Sequence, residues 1–253
     1  MNSARFPSET DVVVTRVTDN QWQAVANDRV VADGDATTRP DGRVFLSIDS
    51  WHEEVFDLLA TRMLADLPSP LYTVVDEADG DLTARWQRAG FTIRRREWEY
   101  LLPTAAAVSS PPGGVTILAA GESEEHLLRE LDGVIRAEVE ATVGWQQMPA
   151  EILPRPAIHP SKYAVATSSG RYVGLVRVAA ATRQPRIGLI AVKAEHQRRG
   201  IARALLGHVL DSLRRSGIES AWVEVNESND AAIALFDGAG AQRVSSNIEL
   251  VRH

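Results

Sequence analysis

Six consecutive residues, Gln197-Arg198-Arg199-Gly200-Ile201-Ala202, combine a glycine, two cations and two small or apolar side chains at the junction of two patterned segments. The preceding run, Arg186 to Val192, reads as a buried strand. The following run, Ile201 to Arg215, places Leu205, Leu206, Val209, Leu210 and Leu213 on one helical face. A strand–loop–helix unit aims the free N–H groups of the first helical turn at the loop. Those groups and the helix dipole attract phosphate. Gly200 lets the backbone approach a ligand or adopt a conformation barred to other residues. Arg198, Arg199 and Arg203 add positive charge. The chemistry fits a pyrophosphate seat. It equally fits an ordinary strand-to-helix turn with a solvated basic loop, and a single glycine does not decide between them.

The elements that would hold this loop can be read along the second half of the chain. Val115 to Leu118 is a strand, and Glu122 to Ala141 is helical with Leu127, Leu128, Leu131, Val134 and Ile135 apolar. Gly144 to Pro160 is a proline-rich loop. Tyr163 to Thr167 and Arg171 to Ala179 form a hairpin. After the helix that ends near Gly217, which stands at the position of a C-cap, come a strand from Ala221 to Val225, a helix from Asp230 to Ala239 and a last strand from Gln242 to Val251. The fold class is α/β.

A seam of small residues, Pro and Gly, PTAAAVSSPPGG from Pro103 to Gly114, has the composition of a linker. It divides the chain into 1–103, a linker 104–114, and 115–253. The halves repeat each other. Ser220 to Val244 (SAWVEVNESNDAAIALFDGAGAQRV) matches Pro70 to Arg94 (PLYTVVDEADGDLTARWQRAGFTIR) at a constant offset of 150, with Phe236 standing where Trp86 stands. Tyr163 to Gly174 matches Gln23 to Gly34 as a second hairpin. The order and spacing of elements point to a tandem duplication.

Composition narrows the class. The chain has no cysteine, which excludes disulfide and thiolate chemistry. Residues 1–103 carry 11 arginines against 18 carboxylates, whereas the remainder is balanced. That acidity disfavours nucleic acid as a partner and is compatible with a cationic small substrate, or with solubility alone. No apolar run is long enough to span a bilayer, and the first residues lack a signal-peptide core. A cytoplasmic location, no membrane association, no metal, and a monomer or homodimer are the expectations.

The segment from Ile190-Ala191-Val192 through Gln197 to Ala202 resembles the signature of the GCN5-related N-acetyltransferase (GNAT) superfamily. That signature is Gln/Arg-x-x-Gly-x-Gly/Ala after a strand ending apolar-x-Val. Downstream, Asn229, Ala232, Phe236 and Gly240 match further positions, so the resemblance covers about 115–251. It implies two GNAT-like modules in tandem, each a twisted mixed β-sheet flanked by helices, the first one incomplete. It also implies transfer of an acetyl group from acetyl-CoA to a primary amine of a small molecule or peptide, by direct attack. Acetyl-CoA would lie where the strand at Arg186 to Val192 splays from that at Ala221 to Val225. Main-chain groups of Ile190, Ala191 and Val192 would pair with the pantetheine arm, and the N–H of Val192 would polarise the thioester carbonyl. Gln197, Arg198, Arg199, Gly200, Ile201, Ala202 and Arg203 would hold the pyrophosphate, with Asn229 near the thiol end. Glu138, Glu140 and Trp145 precede the loop where relatives bind the acceptor. An acyltransferase using a longer acyl-CoA and a non-catalytic acyl-CoA sensor are the alternatives.

Two departures from the family stand out. Phe236 occupies the position of the usual tyrosine acid. The strand from Arg186 to Val192 has no carboxylate, and Glu224 between Val223 and Val225 is the nearest candidate base, or else a paired structural carboxylate. The first half departs further. VFLSIDSWHEEV, Val44 to Val55, has no glycine where the phosphate loop should be, and it carries Asp49. Ser50-Trp51-His52-Glu53 has the spacing of a capping box. The helix corresponding to Glu122 to Ala141 is missing.

Overall fold

The computed structural model describes residues 12–105, 110–144, 158–179 and 185–253. They form two compact units: Met1–Arg96 with Ser246–His253, and Glu97–Ser245.

In the first unit, strands β1 (Val12–Thr18), β2 (Gln21–Ala26), β3 (Arg29–Thr38) and β4 (Val44–Ser50) form an antiparallel meander. Helix α1 (Glu53–Asp66) then returns the chain to β5 (Leu71–Asp76), parallel to β4, and α2 (Gly80–Arg88) leads into β6 (Thr92–Pro103). Alternation on β2 and β3 turns Trp22, Ala24, Ala32 and Ala36 inward, where Phe56, Leu59 and Met63 of α1 and Trp86 of α2 cover them. Gly34 gives this approach room: a Cβ there would stand 2.5 Å from Met63 Sδ, and the Met63 side chain would have to shift. Trp86 meets Phe56 and Phe91 edge-on at centroid distances of 5.1 and 4.9 Å.

In the second unit the order is β7 (Val115–Leu118), α3 (Glu125–Thr142), β8 (Tyr163–Ser168), β9 (Arg171–Ala179), β10 (Arg186–Val192), α4 (Ile201–Arg215), β11 (Ser220–Asn226), α5 (Asp230–Asp237) and β12 (Gln242–Arg252). Helices α4 and α5 cover one sheet face, with Leu205, Leu206, Leu210 and Phe236 against Val176, Ile187, Val223 and Val225. Leu128, Leu131 and Ile135 of α3 pack on Tyr163, Val165, Leu175 and Leu189. Helix α4 ends as Gly217 predicts. Its φ is 77°, its N–H donates to Arg214 O and the N–H of Ile218 to Leu213 O, both at 3.0 Å.

The element order of the two halves is the same apart from α3, and local details recur at the offset of 150. Asp79 and Asn229 are both N-caps, accepting from Leu82 N–H (2.9 Å) and Ala232 N–H (3.1 Å). Asp76 and Asn226 both accept a main-chain N–H two residues on. Gly90 and Gly240 both have positive φ, 91° and 77°, after the helix. The final strands are exchanged. The second part of β6, Glu97 to Pro103, pairs with β11, and Asn247 to Arg252 of β12 pairs with β5. The unit division therefore differs from a cut at the linker.

Two local expectations are corrected. No capping box forms at Ser50–Glu53. His52 is the N-cap of α1 and makes no side-chain cap bond. Ser50 is the last residue of β4, two positions too early, so its hydroxyl reaches only His52, accepting from its N–H (3.3 Å) and donating to its C=O (2.9 Å). The helix expected from Glu122 begins at Glu125, because the Glu122 carboxylate turns back to accept from Ala119 N–H (2.8 Å).

Candidate functional site

Strand β10 is fully paired on one side only. It runs antiparallel to β9 from Arg186↔Ala179 to Val192↔Gly174, with a bulge between Ile187 and Leu189. Its parallel ladder with β11 has the single register pair Arg186↔Trp222, beside which Trp222 N–H donates to Pro185 O at 2.9 Å. Beyond that point the two strands diverge. Lys193 N–H donates to Val173 O (2.9 Å). The two-residue alternation of an antiparallel ladder therefore turns Ala191 toward β9, and the main-chain groups of Ile190 and Val192 toward the gap. The carbonyl of Val192 is taken by Gln197 Nε2 at 3.0 Å. The N–H groups of Ile190 and Val192 remain directed at the divergence, a row of donors for an extended ligand.

The loop continues this opening. A single helical turn, Ala194–His196, is followed by Arg198 at φ 60° and Gly200 at φ 84°. The left-handed conformation costs a non-glycine residue roughly 1 kcal/mol or more. Backbone shape, rather than space, requires glycine at position 200, because a Cβ would meet only Pro112 Cγ at 3.7 Å. Gly200 is the N-cap of α4, makes no side-chain cap bond, and no acidic residue lies in the first turn. Arg198, Arg199 and Arg203 are all exposed around this helix start. Arg199 donates to Glu195 O at 3.0 Å, which bends its side chain across the turn. Farther along α4, a hydrogen bond from Arg214, with Arg215 beside it, holds the Asp211 carboxyl below its ordinary range.

The other candidate residues are placed as follows. Glu224 alternates with buried Val223 and Val225 and is ion-paired to Arg186 across the closed end of the gap. Asn229 uses its side-chain oxygen to cap α5, which leaves its amide N–H groups as donors for a ligand. Glu138 accepts from Ala194 N–H at 3.0 Å and so ties α3 to the turn that leads into the loop. Glu140 is exposed on the same helix, and Trp145 lies outside the described residues. Phe236 is 2% exposed in the core under α4 and α5.

Sequence reasoning missed two carboxylates at this place. The β6–β11 register sets Glu99 opposite Glu224 and Glu97 opposite Asn226. Glu97 is buried, and Ser245 Oγ donates to Glu99. Both lie in the first half of the sequence, and no local pattern announces that β6 completes the other unit.

Residues 124–241 match the profile of the Acetyltransferase (GNAT) family. A stretch of 51 residues is 49% identical to the ribosomal protein bS18-alanine N-acetyltransferase of Escherichia coli, covering 20% of this chain and 34% of that protein. The match thus spans about a third of that relative's length. The N-alpha-acetyltransferase RimI of Mycobacterium tuberculosis is 36% identical over 115 residues, which is 43% of this chain and 71% of that protein. Among solved structures, a tandem GNAT protein from the clavulanic acid biosynthesis pathway is similar in fold, with a TM-score of 0.65 at 14% identity over 95% of this chain and 83% of that one.

Proposed function

The chain belongs to the GNAT family of acetyltransferases, and we propose that its second half moves an acetyl group from acetyl-CoA to a primary amine. The observation that carries this reading is the single register pair between β10 and β11, opening directly onto the uncapped, arginine-rich start of α4. The pantetheine arm would pair with the main chain of Ile190 and Val192. The pyrophosphate would lie on the loop from Gln197 to Ala202, with Arg203 behind it. Asn229 would contact the cofactor through its amide. The relatives' names, an alanine N-acetyltransferase of a ribosomal protein and an N-alpha-acetyltransferase, make a peptide α-amine a fitting acceptor here alongside small amines.

The reaction needs little from side chains. The neutral amine attacks the thioester carbonyl, and the N–H of Val192 donates to the developing oxyanion. The C–S bond breaks as the C–N bond is completed, and the thiolate departs. Its conjugate acid has an ordinary pKa of about 8.5, so departure does not demand the acid that Phe236 lacks. The nitrogen releases one proton, and Glu224 is the group to receive it once the amine replaces Arg186 as its partner. Glu224→Gln should then lower turnover roughly a hundredfold with cofactor affinity within about twofold. A loss under about threefold across the pH range would return Glu224 to a purely structural pairing with Arg186.

We also read the chain as a tandem duplication whose first copy kept the scaffold and lost the seat. The shared element order, the matching caps and the full-length likeness to a tandem GNAT fold support this. A second functional reading is a non-catalytic acyl-CoA sensor, favoured by the buried Phe236 and by the engagement of Glu224 with Arg186. Thiol release and mass-spectrometric detection of acetylated product over a panel of amines and peptides separate the two. Product with any member supports the enzyme; tight acetyl-CoA binding without product supports the sensor.

A further inference from the structure

The second unit has helices on both faces of its sheet, α4 and α5 on one and α3 on the other. The first unit has them on one. Helix α1 packs on Trp22, Ala24, Ala32 and Ala36, and among the described residues no helix lies on the opposite face of β1–β4. The register gives the make-up of that face. Directly paired residues of an antiparallel ladder share a side, and alternation turns every second residue away from α1. One row crosses the four strands as Thr15, Gln23, Asp33 and Asp49, and its neighbour runs Gln21, Asp35, Ser47. A further row is Val13, Val25, Val30.

Folding alone does not account for this surface. Val13 and Val30 are 63% and 49% exposed, and Trp51, directly after the last residue of β4, is 88% exposed. Large apolar groups held in water together mark interaction surfaces. Asp33 and Asp49 are exposed and directly opposed, an arrangement that destabilises a sheet. Gln23 Nε2 donates to Asp33 at 2.9 Å. None of the residues in the three rows is basic. Arg16 pairs with Trp22 and so falls on the α1 side, and Arg39, stacked 3.3 Å over Phe45, bounds the face.

The charge selects the occupant. Ammonium and guanidinium groups would neutralise the opposed carboxylates, an indole ring accepts one more cation on its face, and lysine or arginine stems cover exposed valines. A second copy of the chain would set carboxylates against carboxylates across a two-fold axis, and nucleic acid would meet the same repulsion. We propose that the outward face of β1–β4 docks a lysine- or arginine-rich stretch of the acceptor polypeptide. The inference rests on the peptide-acceptor reading above and adds a demand on acceptor sequence beyond the acetylated residue. Docking on the chain that carries the transferase site raises the local concentration of the acceptor's terminus, so it acts on KM and not on kcat.

Two synthetic peptides with the same N-terminal residues and neutral spacer, one ending in a run of lysines and the other in glutamines, test this on the full chain. By fluorescence anisotropy the wild type should bind the lysine peptide about tenfold tighter or more, the scale of several exposed ion pairs together. That preference should shrink between about 0.1 M and about 1 M salt. The triple variant Asp33→Asn, Asp35→Asn, Asp49→Asn should reduce it to under about threefold. In acetylation assays the variant should raise KM for the lysine peptide by a similar factor, with kcat and the kinetics of the glutamine peptide unchanged. Its urea midpoint should be equal or higher, since opposed like charges are removed. Equal binding of the two peptides by the wild type, or a preference that survives the triple variant, overturns the proposal. So does an equal loss in Asp57→Asn, Asp81→Asn, Glu130→Gln, three exposed carboxylates elsewhere, because net charge would then explain it. A dimer in sedimentation that the Asp33, Asp35 and Asp49 changes dissociate would assign the face to a second copy instead. Acetylation of neither peptide, with the lysine preference in binding intact, removes the peptide-acceptor reading and leaves the face as a docking site for a basic polypeptide.

Discussion

The starts of α4 and α1 follow corresponding strands in the two halves, and neither is capped by a side chain. They differ in backbone and in charge. Gly200 enters α4 in the left-handed conformation, Arg203 lies in its first turn, and Arg198 and Arg199 precede it. His52 enters α1 in extended conformation, Glu53 and Glu54 lie in its first turn, and Asp49 precedes it. A helix start carries about half a positive charge. In α1 the protein's own carboxylates answer it. In α4 basic residues surround it, which costs folding stability and leaves an electropositive, sterically open end. On the proposed function, the α4 start serves as an anion seat through the absence of local compensation, while the α1 start is compensated.

The largest break in that comparison comes from Gly200→Glu. A side chain and a negative charge would enter the anion position, and a left-handed non-glycine residue would be strained. Acetyl-CoA affinity should fall by more than about a hundredfold by calorimetry, with circular dichroism unchanged. The double change Arg198→Ala, Arg199→Ala should cost about tenfold at most, because the main-chain N–H donors remain. Unaltered affinity in folded Gly200→Glu protein would move the pyrophosphate elsewhere.

Arg203→Glu sharpens the comparison with a smaller effect of two signs. An acidic first turn makes α4 resemble α1, so apo stability should rise by roughly 0.3–1 kcal/mol in urea denaturation while acetyl-CoA affinity drops. Two changes of the same sign would show that the arginine acts through packing and not through the helix end.

Much of this contrast was legible in the sequence, because it is local. The strand, loop and helix around Gly200 and the C-terminal Gly217 follow from periodicity and turn chemistry within a few residues. The offset of 150 between Asp79 and Asn229, or Trp86 and Phe236, can be read without any structure. What escaped was non-local or depended on one residue of phase. Ser50 and Glu53 have capping-box spacing, yet β4 extends through Ser50 and shifts the helix start past it. The exchange of β6 and β12 depends on pairings between segments more than a hundred residues apart, for which a period-2 pattern gives no partner. That exchange is what brings Glu97 and Glu99 beside Glu224. The pairing of Glu224 with Arg186 likewise joins neighbouring strands only after folding.

The central claim is that only the uncompensated helix start holds the cofactor. Calorimetric titration of the full-length chain with acetyl-CoA measures this directly. One molecule bound per chain, abolished by Gly200→Glu, is the predicted result. A stoichiometry near two, or one site that survives Gly200→Glu and is lost on changing Ser50 or His52, would contradict it.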